Sequence, residues 1–227
     1  MITATPQPAT TAPDHDATRA RLIHAGGEVF AEHGFQAATV REICTRAGAN
    51  IAAINYHFRD KAGLYLAVLR HSMTTGAGYP EPRDAAALAE TPEEALRLFV
   101  TAMLLRFHDP ATGRACHLRI MVHEMAQPTD ALPRVVEEII GPNYAAMRQI
   151  LSRLLNRPPD DDITRLCAHS IIGQVVHYAH AGPVINLLWP DLKMTPERLN
   201  AIAAHISDFS LSAIRSYKET TQGNDFT

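Results

Sequence analysis

The strongest constraint on this chain lies between Thr39 and Lys61, in TVREICTRAGANIAAINYHFRDK. Thr39 with Glu42 on the third residue after it has the form of a capping box, which satisfies amide donors left open at a helix start. The helix it predicts carries Val40, Ile43 and Ala47 toward a core. It cannot run far, because Gly48 follows after about two turns and suits a left-handed cap. Asn50 then caps a second short helix ending at Phe58, with Ile54 and Phe58 one turn apart on its buried side.

The other side of that second helix is small and partly polar. Ala52 and Ala53 keep side-chain bulk low, so backbone can come close to a partner, and a helix of this kind fits a DNA major groove. Asn55 has the amide that pairs with adenine there, and Ala52 lies beside it. Ile51 either completes the apolar face or meets a thymine methyl group. Thr39, Tyr56, His57, Lys61 and Arg46 are placed to meet phosphates or sugars, contacts that position a protein without reading sequence. Two short helices around a glycine also occur in helical proteins that never touch DNA. On that alternative Tyr56 is a packed aromatic and Asn55 is simply solvated.

Charge distribution agrees with a local site better than with a general nucleic-acid coat. The 227-residue chain has a formal net charge of -3. Between Thr39 and Lys61, Arg41, Arg46, Arg59 and Lys61 stand against Glu42 and Asp60, a local balance of +2. The three cysteines, Cys44, Cys116 and Cys167, are too few and scattered for a disulfide framework. No apolar run reaches membrane-spanning length, and the N-terminus lacks a basic segment followed by an apolar one. A reducing cytoplasm is the expected location, with no membrane partner.

Along the chain, the Thr-, Pro- and Ala-rich residues 1–15 are expected to form a flexible arm. Helical spacing begins near Asp16 and carries Leu22, Gly26, Val29 and Phe30 to a stop at Gly34. Residues 16–60 therefore form the first domain. A helix from Lys61 opens the second, which is expected to run to residue 220, with a short flexible tail at 221–227. Lys61 at a helix start opposes the helix dipole, a mismatch that a phosphate would offset. Thr91, Pro92 and Glu94 mark another strong start. Helices follow to Phe107, from Ala115 to Ala126, from Pro133 to Leu155 with an interruption at Pro142, from Asp162 to Ala181, and from Thr195 to Tyr217. The fold class is all-α.

Two features of the larger domain bear on partners. Leu199, Ile202, Ile206, Phe209 and Ala213 form a seam that needs a facing helix. With Leu166, Ser170 and Gly173 on the preceding helix they predict a two-fold homodimer interface, the alternative being that the seam packs inside one subunit. Phe107, His117, Met121, Met125, Tyr144, Met147, His177, Tyr178 and Trp189 combine adaptable apolar surface with hydrogen-bonding groups. They are candidates for a small-molecule pocket or, alternatively, for core packing. His177 and His180 do not define a metal set by spacing, so no metal and no cofactor is expected. Cys116 beside His117 and His123 beside Glu124 are not active sites, since neighbours on a helix do not face each other.

The stretch resembles the DNA-binding domain of the TetR family of bacterial transcriptional regulators, and NIAAINYHFRDKAGLY resembles its CecR subgroup, which has a CerR-type C-terminal domain. The similarity is sharp over Thr18–Arg70 and more diffuse beyond. It implies an N-terminal three-helix helix-turn-helix domain followed by a helical ligand-binding and dimerisation domain. It makes Asn50–Phe58 the recognition helix, Thr39, Tyr56, His57 and Lys61 backbone contacts, and Ile54 and Phe58 core residues. The chain departs from the commoner family phrase at Asn50, Ala52, Asn55 and Ala62; the first three follow the subgroup, and the fourth removes a local charge. The function implied is a homodimeric repressor that binds a palindromic operator in double-stranded DNA and is released by an unidentified small-molecule effector. The alternative is a helical ligand-binding or interaction protein without specific DNA binding.

Overall fold

In the computed structural model, which describes residues 12–74, 79–109 and 114–220, all regular structure among those residues is helical. They divide into two compact units. The smaller takes the described residues up to His71 together with Arg119–Ala131, and the larger takes the rest. This division departs from the expected boundary after residue 60: the fourth helix joins the first three almost to its end, and a later segment joins them too. The expected terminal arm and tail fall largely outside the described residues, although 12–15 are helical.

The smaller unit is built from α1 (Ala12–Ala37), α2 (Val40–Ala47), α3 (Ile51–Phe58), α4 (Lys61–Thr74, of which the residues to His71 count here) and the end of α7 (Arg114–Ala126). Leu22, Val29 and Phe30 of α1, Ile43 of α2, Ile54 of α3, and Leu64, Tyr65 and Leu69 of α4 are at most 1% exposed and form its core. Gly26 has a packing reason: a Cβ there would lie 3.2 Å from Val68 and 3.4 Å from Leu64, so its absence lets α1 approach α4. Gly34 breaks α1 at φ 71°, a left-handed conformation that a side chain would strain.

The larger unit gathers α5 (Pro82–Ala86), α6 (Pro92–His108), α8 (Leu132–Val135), α9 (Gly141–Leu155), α10 (Asp162–His180), α11 (Gly182–Leu188) and α12 (Pro196–Thr220). Thr91 caps α6 by accepting from the Glu94 N–H at 3.2 Å, with Pro92 in the first turn. Leu96, Phe99 and Leu104 of α6 meet Met147 and Leu151 of α9, Ile171 of α10, and Ile202 and Ile206 of α12 in one core. The interruption expected at Pro142 is a widened π turn over Val136–Ile140. A Cβ at Gly141 would come within 2.8 Å of the Val136 carbonyl, so this turn needs glycine there. Helix α11 has no counterpart among the predicted elements; Pro183 in its first turn is the signal that marks it. Among the described residues no helix is long and apolar enough to cross a membrane.

Candidate nucleic-acid interface

The caps that start α2 and α3 are formed as their residue types require. Thr39 Oγ1 accepts from the Glu42 N–H at 3.1 Å, Gly48 takes φ 59°, and Asn50 Oδ1 accepts from the Ala52 N–H at 3.1 Å. These bonds set the angle at which α3 leaves α2. Ile54 and Phe58 turn inward at 1% and 8% exposure, while Tyr56 is 72% and Ile51 49% exposed. Ile51 therefore does not complete the buried face, and Tyr56 is not a core aromatic. Its ring stands edge-on to His57 at 4.9 Å. Ile51, Ala52 and Asn55 share an exposed strip, with Tyr56 beside it and His57 half-buried.

The turn into α4 carries signals that sequence reading missed. Asp60 Oδ1 accepts from the Gly63 N–H at 2.7 Å and caps the helix. A Cβ on Gly63 would sit 1.9 Å from the Phe58 carbonyl, so the tight exit from α3 depends on glycine. The Asp-x-x-Gly spacing was the available local cue.

Two expected phosphate contacts are placed differently. Lys61 directs Nζ at the carbonyls of Phe35 and Ala38, at 2.8 and 3.0 Å, with Gln36 O at 3.5 Å, and lies 4.5 Å from the Phe35 ring centre. Its dipole mismatch at the start of α4 is offset by the carbonyl-rich end of α1. Arg46 forks onto Glu32 at 3.0 and 2.7 Å and donates to Glu42 at 2.8 Å. The Arg46 guanidinium is thus already paired with two carboxylates, which does not suit a phosphate contact. The Arg46 hydrogen bond holds the Glu32 carboxyl below the usual range. His33 Nε2 lies 3.6 Å from Glu32 and 3.4 Å from Glu42. These three groups come together as metal ligands would, but Arg46 already supplies the cation. Arg41 and Arg59 are the other cations between Thr39 and Lys61, and both are exposed.

Of the expected pocket residues, Met147, Phe107, Tyr144 and Tyr178 come together at one core. Met121 and Met125 belong to the smaller unit, one buried and the other 60% exposed. Met147 is fully buried in the core of the larger unit, against which Phe107, Tyr144 and Tyr178 pack from its margin. Tyr144 Oη lies 3.3 Å from His169 Nε2, His177 is exposed with its ring 5.9 Å from that of Tyr178, and Trp189 lies 5.8 Å from the Arg198 guanidinium. The side chain of His117 falls outside the described residues. An open cavity of about 610 Å³ is instead lined by Asn186, Pro190, Leu192, Lys193, Met194 and Thr195. The helical pattern does not show it, because apart from Asn186 on α11 its lining lies in the connection before α12.

The proposed interface seam divides in two. Leu199, Ile202 and Ile206 are at most 6% exposed and pack inside the subunit, which corrects their assignment to an interface. Leu166 and Phe209 are 59% and 62% exposed, and Ser170, Gly173 and Ala213 are exposed with them. A groove of about 170 Å³ between α10 and α12 is lined by Leu166, Ser170, Phe209 and Ala213, together with Tyr217.

Comparison with known proteins gives two family matches. Residues 92–214 match the C-terminal domain of the HTH-type transcriptional dual regulator CecR, and residues 22–68 match the bacterial regulatory proteins of the tetR family. The CecR regulator of Shigella flexneri is 28% identical over 171 residues, covering 70% of this chain and 74% of that protein. The HTH-type transcriptional repressor AcnR of Corynebacterium efficiens is 36% identical over 77 residues, 34% of this chain and 35% of that protein. Among solved structures, a putative transcriptional regulator from Pseudomonas aeruginosa PAO1 superposes with a TM-score of 0.64 at 24% identity, covering 91% of this chain and 96% of that one.

Proposed function

The chain belongs to the TetR family of bacterial regulatory proteins, in the CecR subgroup, and from that premise we propose that it is a homodimeric repressor. In this reading it binds a palindromic operator and is released by a small-molecule effector. It acts as a transcriptional regulator and not as an enzyme. The observation that carries the DNA-binding part is the exposed strip of Ile51, Ala52 and Asn55 on α3, held by a helix whose other side, Ile54 and Phe58, is locked into a core. Asn55 reads a base edge, Ile51 and Ala52 pack on the groove floor, and Thr39, Tyr56 and His57 meet the backbone.

Two copies joined along the exposed faces of α10 and α12 would present two α3 helices to half-sites related by the same two-fold. Leu166, Ser170, Gly173, Phe209 and Ala213 supply that face. The effector binds in the larger unit, and its preference for one of two arrangements lowers DNA affinity by coupling rather than by blocking the groove. A regulator of this kind works in the cytoplasm, where the DNA is. The relative's description as a dual regulator makes activation at some operators the second reading.

A salt-controlled gel-shift titration against DNA upstream of its own coding region, with a scrambled duplex as competitor, tests the proposal. A discrete dimer-sized shift that resists the competitor supports it. Failure against that DNA and against a selected random-sequence pool, with the protein folded, returns the chain to a ligand-binding role without DNA.

A further inference from the structure

Glu124 on α7 is 1% exposed in the smaller unit. Burying a carboxyl group that deeply is costly unless its oxygens find donors, and both do. Oε1 accepts from the Thr129 N–H and from Thr129 Oγ1, each at 2.9 Å, and Oγ1 lies 3.2 Å from Oε2. Oε2 accepts from the Tyr65 hydroxyl at 2.7 Å. Thr129 Oγ1 in turn accepts from the Ala131 N–H at 3.2 Å, so one carboxyl group shapes the end of α7 and the turn after it.

Tyr65 is itself 1% exposed, on α4 one turn after Lys61. Its ring meets Phe30 edge-on at 5.0 Å and Phe35 at 4.9 Å. Burial and the hydrogen bond to Glu124 push its phenol far above the usual range, so it stays a donor. Beside Glu124, His123 lies against the break in α1: a Cβ at Gly34 would be 3.3 Å from His123 Nδ1. The end of α7 thus touches the helix that follows α3 and the bend that precedes α2. Helix α7 is continuous, with residues 114–118 counted in the larger unit and the remainder in the smaller.

The geometry points to Glu124 as a positioning residue for DNA binding, gripping α4 through Tyr65 so that the α2–α3 pair keeps a set orientation relative to α7. This rests on the reading of the smaller unit as the DNA-binding module. An apolar contact of the same volume would hold these helices together as strongly, but it would let them slide, because burial is non-directional. A hydrogen bond weakens steeply when its angle is lost, and a displaced α7 would leave a buried oxygen unpaired. The directional bond therefore makes α4 follow α7.

The test uses full-length Tyr65→Phe and Glu124→Gln, which preserve volume. Operator and scrambled-DNA affinities are measured across salt, with hydrogen exchange on the free proteins. Expected is a loss of roughly tenfold in operator affinity, in the range of one buried hydrogen bond, with an unchanged salt slope and unchanged affinity for scrambled DNA. Exchange should rise together in 61–71 and 119–131 while 40–58 stays protected. Parent-like operator affinity in both variants overturns the assignment. So does exchange rising through 40–58 as well, which marks loss of the fold instead of its orientation. If the parent itself binds no operator, the regulatory reading fails separately. The grip is then judged by exchange: a coupled rise in both segments keeps it, and a rise confined to one segment, or none, sinks it.

Discussion

Removing the Lys61 ammonium strips donors from the Phe35 and Ala38 carbonyls at the end of α1. Lys61→Met should therefore lower stability by about 1–3 kcal/mol, the cost of leaving such groups unsatisfied, and urea denaturation reads this directly. Its DNA binding should keep the parent's salt dependence; a slope flattened by about 0.9 would return Lys61 to the phosphate contacts. Asn55→Ala should do the reverse, leaving stability unchanged. It should cost about 1–3 kcal/mol of discrimination among single-base operator variants, measured by competition, and equal losses on operator and scrambled DNA would exclude base reading. The residue types at both positions were legible in the chain, but only the solvent-facing place of Asn55 followed from its spacing. The pairing of Lys61 with Phe35 and Ala38, and of Arg46 with Glu32, joins residues 14 to 26 apart in the chain, where no local pattern shows it.

Elements whose ends depend on near neighbours were readable, and those shaped by distant packing were not. Thr39, Gly48, Asn50 and Thr91 cap their helices through groups within a few residues, so the identity of each is enough to place the end. The π turn before Gly141 and the short α11 have no side-chain cap, and a proline in the turn that follows or opens them is a weaker marker. Gly63 shows how tightly one such end is drawn. Gly63→Ala puts a methyl group 1.9 Å from the Phe58 carbonyl, so the exit of α3 must open and carry Asn55 and Tyr56 with it. Operator affinity should fall at least tenfold, a change of about 1.4 kcal/mol, while thermal melting shows the smaller unit destabilised. Parent-like binding and melting would mean that the turn relaxes without moving α3.

At the scale of the molecule, α12 shows why a helical seam read from spacing alone could not be assigned. Its 3,4 repeat predicts that a partner helix is needed; Ile202 and Ile206 find theirs within the subunit, where Leu199 is buried too. Phe209 and Ala213 fall off that stripe onto the exposed side, level with Leu166 and Ser170 of α10 along one groove. The same helix thus offers two faces whose mutations should separate. Ile206→Ala removes a side chain with 1% exposure and should cost about 2–5 kcal/mol of stability. Phe209→Asp touches a residue that is 62% exposed, so a single subunit should tolerate it, whereas a charge in the centre of an apolar interface is strongly unfavourable. Light scattering after size exclusion should find Phe209→Asp monomeric with its helical content intact. Because one α3 reaches only one half-site, its operator affinity should collapse toward that for scrambled DNA. A Phe209→Asp protein that stays dimeric would place the two-fold on another face, and the exposed residues of α10 and α12 would then need a different partner.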